Sequence, residues 1–328
     1  MTILVTGATG HLGANLIREL LTRGEKVRVL LRPDSDNKAV EGLNVEHAYG
    51  DLTDKASLVK AVEHCDYVYH LAAFVSIRSG DKKELYDVNV LGTRYLMQAC
   101  RAEGVKKVVH CSSFGAIGHN PDGASNEKWA VSPYEMTTDY EISKTFAELE
   151  VYKEIVRGLP AVIVNPSGIV GPWDFRPSLL GQTIIEFAKG KMRASIKGGF
   201  DFVPVQDVVQ GHLLAMEKGV IGERYLLTGE KLTLQETLDW LEEFTGVAKP
   251  KIIIPALFMQ NIAIIKDWIE RRFFPHVYPR FNYHSIRLLS GGKHGNHQRA
   301  IDELGLKPTP VKEAYRDAVQ WFKDHHYI

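Results

Sequence analysis

At 328 residues, with 45% hydrophobic and 24% charged residues, the chain has the makeup of an ordinary globular protein with room for about two domains. Forty basic residues balance forty acidic ones, which leaves no electrostatic footprint for nucleic acid or another polyanion. Cys65, Cys100 and Cys111 show neither CxxC spacing nor clustering with histidines, so they read as reduced thiols of a cytoplasmic protein without a metal.

The start, "MTILVTG", enters a strand at once and leaves no room for a cleavable signal. A glycine-rich turn follows. Leu12, Leu16, Ile17, Leu20 and Leu21 then recur on one face of a helix that Gly24 closes. Next come "KVRVLL", "VEHAY", "YVYHLA", "KVVHCSS" and "AVIVN", apolar runs of the kind found in parallel strands covered on both faces. Between "YVYHLA" and "KVVHCSS", residues Glu84 to Glu103 carry a second helical pattern through Leu85, Val88, Leu96 and Ala99. This alternation predicts an α/β fold, a doubly wound parallel sheet of Rossmann type. After Asn165 the texture changes. Pro166, Pro172 and Pro177 break up a loop-rich stretch, and helices and an aromatic segment from Phe258 to Tyr283 follow. The apolar run Ile252 to Ile265 falls short of the ~20 residues a membrane span needs and is expected to form a core or interfacial helix. The expected organisation is a dinucleotide-binding domain over 1–165, with 203–228 returning to it. A smaller, mainly helical substrate domain takes 166–202 and 229–328.

"VTGATGHLGANL" sets Gly7, Gly10 and Gly13 between the first strand and the first helix. Small residues there allow a tight turn, close approach to a pyrophosphate and close helix–strand packing, while the helix N-terminus offers free N–H groups. At the end of the second strand, Leu31 stands where an NAD site places an acid, and Arg32 follows it. That favours NADP(H) over NAD(H), because an arginine there can hold the 2′-phosphate.

Further motifs follow in order. They are "GDLTD" (50–54), "HLAA" (70–73), "NVLGT" (89–93), "SSFGAIG" (112–118), "YEISK" (140–144), "NPSGIVGP" (165–172) and "FVPVQDVVQGHLLAM" (202–216). With the glycine loop they resemble the extended short-chain dehydrogenase/reductase family over nearly the whole chain. The dihydroflavonol-reductase-like, 3β-hydroxysteroid-dehydrogenase-like and hopanoid-associated epimerase-like members are the most similar in appearance. The resemblance implies a nicotinamide enzyme with Ser113, Tyr140 and Lys144 as catalytic residues. Cofactor contacts are expected from Gly7, Thr9, Gly10, His11, Leu12, Gly13, Arg32, Asp51, Leu52, Leu71, Ala72, Ala73, Asn89, Tyr140, Lys144, Pro166 and Ile169. A homodimer through the helices at 84–103 and 140–157 is suggested by the same analogy.

In that reading Tyr140 is the acid/base, and an ordinary phenol pKa of about 10 must fall by ~3 units, worth ~4 kcal/mol. The Lys144 ammonium one helical turn away and a bound oxidised nicotinamide can supply that stabilisation. Ser113 would hold the substrate oxygen. Two outcomes stay open: reduction of a ketone or oxidation of an alcohol on an apolar or ring-containing molecule, or epimerisation or dehydration of a nucleotide sugar with NAD. Phe200 stands where the sugar-nucleotide enzymes of the family typically carry an arginine, which weighs against the second. Phe74, Ser76, Ile169 and Trp173 are candidates for the substrate wall, or equally for the core of the smaller domain.

Overall fold

The structure, a computed structural model, describes residues 1–76, 80–129, 132–255, 258–259 and 292–328. Its centre is a sheet built by the predicted alternation. The elements are β1 (Thr2–Thr6), α1 (His11–Thr22), β2 (Lys26–Leu31), β3 (Glu46–Tyr49), α2 (Lys55–Val62) and β4 (Tyr67–His70). They continue with α3 (Lys82–Leu85), α4 (Gly92–Ala102), β5 (Lys107–Cys111), α5 (Asp139–Val156) and β6 (Ala161–Pro166). Alternate residues of the strands point to opposite faces. One face, with Val5, Val29, Tyr69, Val109 and Val164, packs on the α1 side, and the other, with Leu4, Val68, Val108 and Ile163, packs on the α2, α4 and α5 side.

Beyond β6 lie β7 (Gly168–Val170), α6 (Leu179–Ala188), β8 (Ala194–Ile196), β9 (Gly199–Pro204), α7 (Val205–Lys218) and β10 (Arg224–Leu227). The chain continues with β11 (Glu230–Thr233), α8 (Leu234–Thr245), β12 (Ile252–Ile254) and α9 (Val311–Asp324). Strand β10 pairs in parallel with β6 and completes a seven-stranded sheet of order β10-β6-β5-β4-β1-β2-β3. The order reverses between β1 and β4, and the crevice outside the carboxyl ends of these strands is where a doubly wound sheet binds its ligand.

Several expectations are refined. "VEHAY" forms the edge strand β3, not a doubly covered one: Tyr49 is 58% exposed, because the sheet ends there. The helix expected over Glu84 to Glu103 is interrupted by a π turn, Tyr86–Leu91, that carries Asn89. The loop-rich stretch after Asn165 contains β7, which joins β9 and β11 in a second, three-stranded sheet. These strands are three to six residues long, too short for an alternation of period two to stand out. Ile252–Ile254 opens the apolar run as a strand paired with β8, with Ile252 and Ile253 exposed. The rest of that run beyond Met259, and the aromatic segment to Tyr283, lie outside the described residues.

A candidate active site at the strand ends

The glycine loop is shaped by backbone contact. Gly7 has φ +74, and a Cβ there would stand 2.6 Å from the Ala72 nitrogen. A Cβ on Gly13 would stand 2.1 Å from the Gly7 carbonyl oxygen. Only glycine permits this triple approach of β1, α1 and the end of β4. Ala14 N donates to Gly10 O at 2.9 Å, so the N–H groups ahead of it in the first turn of α1 lack a helical acceptor. A bare backbone cradle beside a helix N-terminus fits a dinucleotide pyrophosphate.

Around this cradle the other expected contacts are distributed unevenly. Thr9 is half-buried and Leu12 is buried, so Leu12 offers its backbone rather than its side chain. Arg32 is exposed at the end of β2, beside buried Leu31. The Asp51 carboxylate accepts from Thr53 N at 2.9 Å and Thr53 Oγ1 at 2.6 Å, which fixes the turn after β3. Leu52 packs under α4, where a Cβ on Gly92 would meet it at 2.7 Å. Leu71, Ala72 and Ala73 leave the end of β4 half-buried, and Pro166 and Ile169 flank the crevice from the β6 side.

Asn89 is committed to the protein. Its Oδ1 accepts from Phe74 N at 2.7 Å, and its Nδ2 donates to Phe74 O at 2.9 Å and to Ser143 Oγ at 3.0 Å. Ser143 in turn donates to Tyr140 O at 2.8 Å. Asn89 thus ties the loop after β4 to the first turn of α5. Its position in a π turn accords with the use of such turns at functional sites.

A complete capping box starts α5: Glu141 N donates to Thr138 Oγ1 at 3.1 Å, and Thr138 N donates back to the Glu141 carboxylate at 3.1 Å. Tyr140 therefore sits between the two residues of the capping box. Ser112 and Ser113 follow β5 but turn apart. Ser112 Oγ donates to the buried Glu148 carboxylate at 2.5 Å. Ser113 accepts from Gly115 N at 3.0 Å and is a near neighbour of the Tyr140 phenol. Because the Gly115 amide occupies an acceptor position on Ser113 Oγ, the hydroxyl proton is free to serve Tyr140 or a substrate oxygen.

Lys144 is buried and donates to the Cys111 carbonyl at 2.7 Å. Burial lowers its pKa, against the pull of Cys111 and Glu148. Burial likewise pushes the Tyr140 phenol up to about 12, with Ser113 opposing. Bringing that phenol to neutrality then takes ~7 kcal/mol, more than the ~4 kcal/mol that an ordinary phenol would need.

Glu148, missed in the sequence, completes the face of α5 four residues beyond Lys144. Besides Ser112 it accepts from Asn165 Nδ2 at 2.6 Å and faces Arg224 Nη1 at 3.4 Å. Three histidines lie deep in the same region. The His70 ring nitrogens lie 2.8 Å from Thr6 Oγ1 and 2.9 Å from Thr93 Oγ1. Its ring centroid is 5.0 Å from that of His110, whose two ring nitrogens meet no partner among the described residues. His212 on α7 is also fully buried. Among the described residues no group of three or more His, Cys, Asp or Glu could hold a metal ion.

On the substrate side, Ser76 is buried and donates to Asp81 at 2.5 Å, so its side chain does not form a cleft wall. Trp173, at φ +64, packs with Phe175 and Trp321 while the Arg18 guanidinium covers it at 4.1 Å. It belongs to the core of the smaller region. The neighbouring Pro172 carbonyl accepts from Asn15 Nδ2 at 2.9 Å and lies 3.1 Å from His11 Nε2.

A glycine cradle at the switch point of a doubly wound sheet, with a serine, a tyrosine and a lysine gathered at the next strand end, defines a nicotinamide-dinucleotide enzyme of the extended short-chain dehydrogenase/reductase class. The sequence matches the NAD dependent epimerase/dehydratase family over residues 3–227, and the chain belongs to that family. It is 60% identical over 328 residues to sterol demethylase protein B of Methylococcus capsulatus, covering all of both chains. It is 29% identical to 3beta-hydroxysteroid-dehydrogenase/decarboxylase isoform 2 of Arabidopsis thaliana, over 97% of this chain and 61% of that one. The crystal structure of gox2253 superposes with a TM-score of 0.88 at 37% identity, covering 100% of this chain and 99% of the other.

Proposed function

We propose that the chain is an NADP(H)-dependent oxidoreductase acting on a secondary alcohol or ketone carried by a sterol-like ring system. The observation that carries this reading is the placing of Tyr140 and buried Lys144 one turn apart on α5, with the Lys144 ammonium donating to Cys111 O at 2.7 Å at the end of β5, the strand that Ser113 follows. The sterol named in the relative that matches end to end supports a polycyclic substrate. Phe200 supports it too: it lies edge-on to Phe202 at 5.8 Å, an apolar surface where a nucleotide diphosphate would need a cation. Leu31 and Arg32 at the end of β2 support NADP(H).

When bound, the nicotinamide supplies the acceptor or donor of a hydride. The protein does the rest. In the oxidative direction Tyr140 takes the alcohol proton as the carbonyl forms, and Ser113 donates to the oxygen so that developing charge is held. Lys144 would hold the cofactor ribose, and its ammonium would favour the phenolate. Thr9, Gly10 and the first turn of α1 would hold the pyrophosphate. Leu71 to Ala73, Pro166 and Ile169 would line the dinucleotide, with Asp51 and Leu52 on the adenine side. We further propose a homodimer through α4 and α5, the second of which exposes Leu149 and Val156.

The test is turnover of a 3β-hydroxysteroid with NADP+, and of the matching 3-oxosteroid with NADPH. Tyr140→Phe should lose activity by at least about a hundredfold while NADPH binding, read by fluorescence, stays unchanged. Equal rates in the two proteins would remove Tyr140 from the chemistry.

A further inference from the structure

Ser113 begins a 3-10 turn, Phe114–Ala116, and the support of that turn comes from an unexpected quarter. Residues 293–297 pass beside Ser125 as a strap, with Gly295 forming an isolated parallel bridge to Ser125. Ser125 N donates to His294 O at 2.9 Å, Asn296 N donates to Ser125 O at 2.8 Å, and Gly295 N donates to the buried Asp201 carboxylate at 3.1 Å. A Cβ on Gly295 would stand 2.5 Å from Thr228 and 3.2 Å from the Phe114 ring, so the strap is seated tightly. From it Lys293 reaches inward. Its ammonium donates to Phe114 O at 3.0 Å and Ile117 O at 2.5 Å, and lies 4.6 Å from the Phe114 ring centroid.

Among the described residues no carboxylate pairs with this ammonium. Its partners are the Ile117 carbonyl and the Phe114 carbonyl, which also accepts from Ile117 N at 3.1 Å. A charged donor on such carbonyls is about twice as strong as a neutral one, and a ring face beneath a cation adds to the hold.

The geometry points to Lys293 as a positioning residue for Ser113. By clamping the carbonyls of the turn it fixes the Gly115 amide, and the Gly115 amide sets the direction of the Ser113 hydroxyl. Lys293 touches no reacting atom in this account, which rests on the oxidoreductase reading only for its kinetic consequence. Burial lowers the lysine pKa to about 8, which accords with a cation enclosed behind the turn rather than solvated.

Two measurements test it. Amide hydrogen exchange of the protein needs no substrate: Lys293→Met should lose protection at Gly115 to Ile117 and Lys293→Arg should keep it, while Ser113→Ala, which removes the acceptor of the Gly115 amide, should keep it at Ala116 and Ile117. In steroid turnover with NADPH, Lys293→Met should lower kcat by about a hundredfold, the scale of a misplaced catalytic group. The KM for NADPH should stay within about twofold, and Lys293→Arg should restore most of the rate. Adding Lys293→Met to Ser113→Ala should cost almost nothing more, because both act through one hydroxyl.

Unchanged exchange in Lys293→Met would overturn the proposal. So would a full additional loss in the Ser113→Ala background, or exposed amides with a normal kcat. If Lys293→Met does not melt cooperatively, Lys293→Gln takes its place. If wild type turns over no steroid, the functional reading fails, and the exchange experiment still decides the role of Lys293.

Discussion

Glu148 makes the sharpest residue-level demand on the fold. Two donors, Ser112 and Asn165, and the Arg224 guanidinium converge on one buried carboxylate. Glu148→Ala leaves these groups facing a cavity and is expected to cost about 3–5 kcal/mol in urea denaturation, the range for breaking a buried charged pair. Glu148→Gln, which keeps an acceptor of similar shape, should cost clearly less. Arg32 makes the opposite kind of prediction, since it is exposed and packs nothing. Arg32→Ala should leave stability unchanged and weaken NADPH relative to NADH by about tenfold, the effect of losing one phosphate contact worth ~1.4 kcal/mol. Equal losses for both dinucleotides would count against a 2′-phosphate site. Tyr140 and Lys144 were legible in the sequence because their relation is local, four residues along one helix. Glu148 continues the same spacing, but its burial depends on Arg224, 76 residues away. Lys293 meets Phe114 across 179 residues, and no pattern near either residue announces that.

At the scale of elements, α5 is where local sequence and function coincide. Its capping box satisfies Thr138 N and Glu141 N on either side of Tyr140. Thr138→Ala should cost about 1 kcal/mol of stability. In the proposed mechanism the first turn carries the acid/base, so kcat should fall while the KM for dinucleotide holds. A stability loss with an unchanged kcat would mean that Asn89 and Ser143 alone suffice to hold Tyr140. The buried strands β1, β2, β4, β5 and β6 were readable because each is a continuous apolar run. The π turn was not, since its residues keep the apolar rhythm of an α-helix, and neither was β7, whose three residues lie between prolines.

For the whole molecule, the three interior histidines set a limit on acid stability. Burial holds His70 down to about 3 and His212 down to about 4, and holds His110 well below the ordinary value of 6.5. The folded protein refuses protons that the unfolded chain accepts. Their stabilising contribution is therefore complete above pH 6.5 and is lost as pH falls through 6.5 toward the folded values. Between pH 7.5 and 5.5 each should cost about 1.4 kcal/mol, together about 4 kcal/mol, a large part of a typical folding free energy. Glu148, with its pKa raised by burial, works in the other direction at lower pH. Urea midpoints at the two pH values measure this directly. His110→Leu should remove about a third of the difference, and a difference below about 1 kcal/mol would show that the histidines open to solvent in the folded state.

The carbonyl of Pro172 binds together two parts of the molecule with separate duties. His11 and Asn15 both meet it, and they belong to α1, whose first turn is the proposed pyrophosphate site, whereas Pro172 belongs to the stretch proposed to lead to the substrate. The two halves are therefore not interchangeable modules. A chimera that takes residues 166–202 from another family member inherits this joint only if the recipient helix offers the same two donors. Without them the transplanted loop loses its anchor on the cofactor side before any substrate contact has been altered.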